Sequence, residues 1–350
     1  MRFDEKNDLS GFAVVEDWLL GPVRLAVLET ALELGIADIL AETGDPAEAA
    51  RRLGAHPGNT LLFLDALTTM GLAEKREGRF ANTSLAERHL RRTSGTYFGG
   101  LVENLKTLQL RNLDRLAALV RQGPPAELKR EKRLDEETHW RAAAHGLACY
   151  QRSGLARLAA DLVAALPEAQ RLRRLLDLGG GPGIAGMEIV ERHPGMTGVL
   201  CDLPTVAEVA REEIAARGLE DRMSVLPGDY NALDLGAGYD LVWASNTLYY
   251  ARDLPAFLAK AHAALQPGGV FLSLHEGLKG ERTRPAFHVL SRLPLALEGQ
   301  DVSFEAGQIA RAMLEGGFQT VESRELLLPM GAVRLDVGRK AGALPVERLG

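Results

Sequence analysis

The run Leu175-Leu176-Asp177-Leu178-Gly179-Gly180-Gly181-Pro182-Gly183 combines an acid with a glycine-rich turn, a pairing that can hold a charged nucleoside ligand. The glycines let a ligand lie against bare backbone, and a helix predicted over 184–192 offers its unpaired N–H groups behind them. Asp177 decides between ligands. A dinucleotide would bring pyrophosphate to this turn, where a carboxylate just ahead of the first glycine repels it. S-adenosylmethionine (SAM) brings an ammonium and a sulfonium, which a carboxylate attracts. Gly179, Gly181 and Gly183 are also spaced G-x-G-x-G, not the G-x-G-x-x-G of dinucleotide sites. The cofactor read from these residues is SAM.

The elements that must carry the turn follow from the pattern around it. Apolar strands at 197–201, 223–226, 239–244 and 270–274 alternate with helical stretches, one of them opened by a Thr205/Glu208 capping box. A helix over 254–265 ends in Gln266-Pro267-Gly268-Gly269. A last helix over 304–314, stopped at Gly316-Gly317, precedes strands near 320–326 and 332–338. Strand–helix alternation predicts a doubly wound, Rossmann-like parallel sheet, whose ligands lie beyond the carboxyl ends of the strands. Three acids fall there: Asp177, Asp202 and Asp229. Asp202 is placed to accept both ribose hydroxyls, Asp229 the adenine amino group with Tyr230 stacking on the purine, and Asp177 to act near the methionine amino group. Leu203, Gly228 and Ser245 complete the expected cofactor lining. A lone aspartate at such a place is a turn or cap residue; three in register behind this turn argue for a ligand.

The front third reads differently. Leu25, Leu28, Leu32, Ile36 and Leu40 recur at helical spacing, short helices follow over 47–53 and 59–70, and residues 72–80 form a hairpin turning at Glu77-Gly78. Helix, helix, helix, hairpin is a winged-helix pattern, which suggests DNA. The residues oppose it: 59–70 carries no Lys or Arg to read base edges, and acids outnumber bases in this region. Phe12, Val14, Val15, Trp18, Leu19 and Leu20 suit a subunit interface, with packing inside one chain as the alternative. The domains are placed at 1–106 (winged-helix-like, dimerising), 107–170 (helical connection contributing to a substrate pocket) and 171–350 (cofactor domain). A charge run at 127–137 within the connection reads as a solvated helix face. The 350 residues carry a net charge of −6, against a nucleic-acid partner. Two cysteines, Cys149 and Cys201, argue against disulfide stapling and a cysteine zinc site, and no metal is expected. No apolar run is long enough for a membrane span, and Met1-Arg2-Phe3-Asp4-Glu5-Lys6 is too polar for a signal peptide, so the cytoplasm is expected.

The chain resembles bacterial members of the SAM-dependent O-methyltransferase family that includes the acetylserotonin and caffeate types. The resemblance is carried by the Leu175–Gly183 run, Asp202-Leu203-Pro204, Gly228-Asp229 and Gln266-Pro267-Gly268-Gly269. In front, Ala31-Leu32-Glu33-Leu34-Gly35-Ile36-Ala37-Asp38 and Leu67-Thr68-Thr69-Met70-Gly71-Leu72 resemble that family's dimerisation domain. It implies a class I methyltransferase domain and a homodimer that methylates a small secondary metabolite, aromatic or polyketide-like.

One part of the family pattern is missing. Its members place a lysine and, four residues later, a general-base histidine after the fourth strand; Ser245 and Tyr249 stand there in this chain. An unperturbed tyrosine, with a pKa of about 10, is a poor base near neutrality. Tyr249, His145 and His275 are the candidate catalytic residues. A second account needs no base: an acidic oxygen or a carbon nucleophile is simply aligned with the methyl group. A third keeps the cofactor site for other work, such as hydroxylation, decarboxylation or binding alone. Residues 281–304 are expected to form the substrate lid. Trp140, Tyr250, His288 and Arg292 are the candidate acceptor contacts.

Overall fold

The computed structural model describes residues 10–125, 137–329 and 331–342. The charged stretch 127–136 and the opening hexapeptide fall outside them. The chain divides into two compact units, residues 1–102 and 103–350.

In the first unit, α1 (Ser10–Leu34) and α2 (Ile36–Glu42) meet at Gly35, whose φ of +63° is cheap only for glycine. Asp45 starts α3 (Pro46–Leu53) by accepting from the N–H groups of Ala47 and Glu48. After α4 (Pro57–Thr69) comes the expected hairpin, β1 (Ala73–Arg76) and β2 (Arg79–Asn82), then α5 (Ser84–His89). Ile36, Leu40, Leu64, Leu67 and Phe80 form the core. The start of α1 takes no part: Phe12, Trp18 and Leu19 are 63%, 70% and 69% exposed. Core packing within this chain therefore does not explain their apolar character. Helix α4 contains no Lys or Arg, as read from the sequence.

Helix α6 (Gly99–Gln109) spans the division between the units, and α7 (Leu116–Gln122) follows. Helix α8 (Glu137–Tyr150) is joined to α9 (Ala156–Ala164) by a kinked segment (Gln151–Leu155). The sheet alternates with helices: β3 (Arg174–Leu178), α10 (Ile184–Arg192), β4 (Thr197–Asp202), α11 (Pro204–Ala216), β5 (Met223–Pro227), β6 (Tyr239–Ser245), α12 (Leu254–Ala264) and β7 (Leu265–Glu276). Helices α13 (Ala286–Leu297) and α14 (Gln308–Glu315) lead to β8 (Thr320–Leu328) and β9 (Gly331–Arg339). Strand order is β5-β4-β3-β6-β7-β9-β8, parallel from β5 to β7, with β9 antiparallel to both neighbours. The order reverses at β3/β6, which puts the switch point at the glycine turn.

Two local expectations fail. No Thr205/Glu208 capping box forms, because Pro204 already occupies the first turn and Leu203 is the cap. The Glu208 carboxylate instead pairs with Arg141 of α8 at 2.5 Å. The Gln266-Pro267-Gly268-Gly269 segment is not a separate loop; it lies inside β7, where the register to β6 shifts.

Candidate active site

Beyond the carboxyl ends of β3–β6 lies a cavity. Its floor is Gly179, Gly181, Asp202, Leu203, Gly228, Asp229 and Tyr230; its walls are Trp140, Ala144 and Leu147 of α8, Val206 of α11, and Asn246, Thr247 and Tyr250 after β6. Seven of the ten expected cofactor residues and the aromatic pair Trp140–Tyr250 are thereby brought together, the two rings edge to face at 5.3 Å. Gly179 has φ +60°, and a Cβ there would come within 1.9 Å of Thr247 Oγ1. A Cβ on Gly181 would meet only Gln151 Nε2, at 3.9 Å, and would stand in the cavity itself.

Asp202 accepts from Gly181 N at 2.8 Å and from Leu203 N at 2.7 Å. Burial pushes its carboxyl up to about 6 despite these two donors. Asp177 does not line the cavity. It is 1% exposed and lies beneath the turn, so close that a Cβ on Gly180 or Gly186 would strike its carboxylate. Its Oδ2 lacks a hydrogen-bond partner of normal geometry. Burial first, and then the charge of Asp202, push Asp177 up to about 7. Asp229 is held by Asn231 (2.8 Å from both N–H groups) and by Arg252 at 3.1 Å. The Tyr230 hydroxyl donates to the Thr247 carbonyl at 2.7 Å, which fixes the ring at the cavity edge. Gly183 and Ser245 do not line the cavity. Gly183, at φ +79°, caps α10 and packs against Leu200, where a Cβ would clash.

The three candidate bases are engaged otherwise or lie elsewhere. His275 is 1% exposed. Its Nε2 accepts from the N–H groups of Thr247 (3.0 Å) and Leu248 (3.1 Å), so Nδ1 carries the proton and faces Ser273 Oγ at 2.8 Å. Burial takes its pKa down to about 3; it is a neutral structural ring rather than a base. His145 is exposed on α8 and does not line the cavity. Tyr249 is buried, its ring stacked on Phe304 at 5.0 Å. Its hydroxyl faces Glu276 in a short contact and Asn246 Oδ1 at 3.1 Å, and it accepts from Arg292 Nη2 at 3.0 Å. Burial and the Glu276 charge hold the phenol well above its ordinary range, so Tyr249 is a proton donor, the reverse of a base.

Arg292 of α13 completes this cluster. Its Nη1 lies 2.5 Å from Glu276 Oε1, a charge contact rather than an aligned hydrogen bond, and its guanidinium sits 4.6 Å above the Tyr249 ring. Arg292 therefore stands behind Tyr249 rather than in the cavity wall, and His288, 7% exposed, does not line the cavity either but lies beside Phe287 and Gly331. Sequence reasoning did not assign Asn246, Thr247 or Val206 to the wall. Asn246 gives one signal, an asparagine just past a strand end, and it does adopt φ +52°. Among the described residues no group of His, Cys, Asp and Glu could hold a metal ion, and no helix is long and apolar enough to cross a membrane.

Comparison with known proteins agrees with this geometry. A methyltransferase-domain family matches residues 176–271, and an O-methyltransferase dimerisation-domain family matches residues 17–92. A 3-hydroxy-5-methyl-1-naphthoate 3-O-methyltransferase of Streptomyces sahachiroi is 30% identical over 265 residues, 74% of this chain and 75% of that protein. An O-methyltransferase family protein from Burkholderia thailandensis superposes with a TM-score of 0.77 at 26% identity, over 97% of this chain and 99% of that one. Human N-acetylserotonin methyltransferase, solved in complex with SAM, shares the fold: TM-score 0.76 and 21% identity over 97% and 100% of the two chains. With matches to both domain families and a relative aligned over three quarters of its length, the chain belongs to the O-methyltransferase family.

Proposed function

We propose that this protein is a homodimeric, SAM-dependent O-methyltransferase acting on a small aromatic or polyketide-like metabolite. The observation that carries the donor reading is the pair Asp177, buried, and Asp202, half-buried in the cavity floor: both carboxyls are pushed up, and no cationic side chain of the chain offsets them. A cationic ligand relieves that arrangement, whereas a pyrophosphate worsens it. The open cradle at Gly181 and the unpartnered Asp177 Oδ2 fit the same group. When bound, SAM supplies a methyl made electrophilic by its sulfonium. Asp202 would hold the ribose, Asp229 and Tyr230 the adenine end, and Asp177 would act through the turn. Trp140 and Tyr250 offer aromatic faces to a flat acceptor.

The acceptor class follows from the committed state of Tyr249 and His275. Neither takes a proton near neutrality, so the favoured acceptor oxygen is acidic enough to arrive ionised, and alignment does the rest. The naphthoate acceptor named for the Streptomyces relative is aromatic and carries a phenol-type hydroxyl. The exposed apolar start of α1 and the dimerisation-domain match support the homodimer. A second reading, binding without transfer, draws on the same missing base. Incubation with methyl-labelled SAM and a panel of phenols, hydroxynaphthoates and carbon nucleophiles separates the two. Label on oxygen is expected; tight SAM binding with no transfer, or transfer to carbon alone, overturns the O-methyltransferase reading.

A further inference from the structure

The helix behind the glycine turn has a cap that its own sequence does not supply. Gly183 occupies the cap position of α10 and has no side chain with which to satisfy the first N–H groups. Gln151 does so from another element. Its Oε1 accepts from Ala185 N at 3.1 Å, while its Nε2 donates to the Gly180 carbonyl at 3.3 Å. One carboxamide thus grips the turn on both sides of Gly181, whose N–H holds Asp202. Gln151 reaches that place because the chain kinks just after α8, where Gly154 takes the non-helical φ of +137°. The same junction is tied down on its other side: Arg152 pairs with Glu213, as Arg141 does with Glu208 and Glu212. Helix α8, which walls the cavity with Trp140, Ala144 and Leu147, and the glycine floor are therefore joined through one side chain.

We infer that Gln151 is a positioning residue for the methyl donor, setting the glycine turn in its ligand-receiving form and fixing the α8 wall against it. The inference rests on the SAM reading. The probe is S-adenosylhomocysteine, measured by calorimetry on the full chain. Gln151→Met keeps the side chain's length and apolar stem and removes both hydrogen bonds. It is expected to weaken binding by about tenfold, because the ligand must then order a turn that the chain no longer holds, and to lower the melting temperature of the ligand-free protein by no more than a few degrees. Hydrogen exchange at the Ala185 amide should accelerate in Gln151→Met and stay slow in Gln151→Glu, which still offers Ala185 an acceptor. Wild-type affinity and unchanged Ala185 exchange in Gln151→Met overturn the role. So does an affinity loss matched by a general loss of folding in both variants. If the wild-type protein itself does not bind the probe, the donor reading fails and takes this inference with it.

Discussion

Two regions of the molecule take carboxyl groups out of water, and they differ in whether the chain supplies a counter-charge. At the glycine turn, the buried Asp177 and the half-buried Asp202 face no cation of the chain, and both are pushed up, to about 7 and about 6. Behind Tyr249, Glu276 is 2% exposed and burial raises its carboxyl too, but Arg292 lies against it and opposes the shift, and Tyr249 closes the group. The first region leaves a charge to be met from outside the chain, which is what a binding site does. The second supplies its own counter-charge, which is what a structural cluster does. A buried carboxylate alone therefore does not mark a site; the absence of an internal partner does.

The largest way to break this comparison is to remove the internal counter-charge. Arg292→Ala leaves Glu276 buried without its ion pair and should cost about 3–5 kcal/mol of stability, read by thermal or denaturant unfolding. Removing both charges with Arg292→Leu and Glu276→Leu should recover most of that loss. If Arg292→Ala melts like the wild type, the cluster is not the self-neutralised unit described above.

Asp202→Ala tests the other side. With the acceptor for the ribose gone, SAM affinity should fall on the order of a hundredfold in calorimetry, while stability changes little or improves, because a desolvated carboxyl is removed. Destabilisation without loss of binding would make Asp202 a structural acid like Glu276.

The turn and the strand-end acids were legible because backbone geometry constrains them locally: positive φ at Gly179, Gly181 and Gly183, and a carboxylate within two residues of each strand's end. The Tyr249–Glu276–Arg292 cluster was not, since its members come from β7, α13 and the loop after β6, far apart in sequence. The sequence exposed the missing histidine but not what replaced it. Arg292 and His288 looked like lid residues facing a substrate, and tertiary packing turned Arg292 to Tyr249 and Glu276 and set His288 beside Gly331. The false capping box at Thr205 has a smaller cause: Pro204, with its fixed φ, begins the helix one residue early. Gln151 gave no signal, because nothing in composition marks which side chain beside a helix kink reaches a distant turn.

Acidity sharpens the comparison further. Asp177 and Asp202 have pKa values raised above those of the unfolded chain, so the ligand-free protein holds protons that the unfolded chain has already lost. Their contribution to stability is greatest below about pH 4 and is lost as pH rises through about 6 to 7. A cationic ligand favours the ionised forms and must displace those protons. SAM affinity should therefore rise on the order of tenfold between pH 5.5 and 7.5 and then level off, with proton release detectable as a buffer-dependent heat. Affinity that is flat across this range would mean that neither carboxyl senses the ligand's charge.

The smallest expected effect is the one that bears most directly on chemistry. Tyr249 occupies the place where the family's base is expected, yet its phenol is held protonated between Glu276 and Arg292. Tyr249→Phe removes a hydroxyl, keeps the ring on Phe304 and leaves the Arg292–Glu276 contact in place. Loss of one buried hydroxyl should cost about 1–2 kcal/mol of stability. Turnover of an already ionised acceptor should change by less than about threefold, with the pH–rate profile still set by the acceptor. If Tyr249 were the base, the same substitution would lower kcat by about a hundredfold or more and remove an enzyme-derived limb from the profile. A drop of that size in a protein that still binds SAM normally would move Tyr249 from the structural region to the reacting one, and the contrast between the two buried carboxyl sites would no longer separate binding from support.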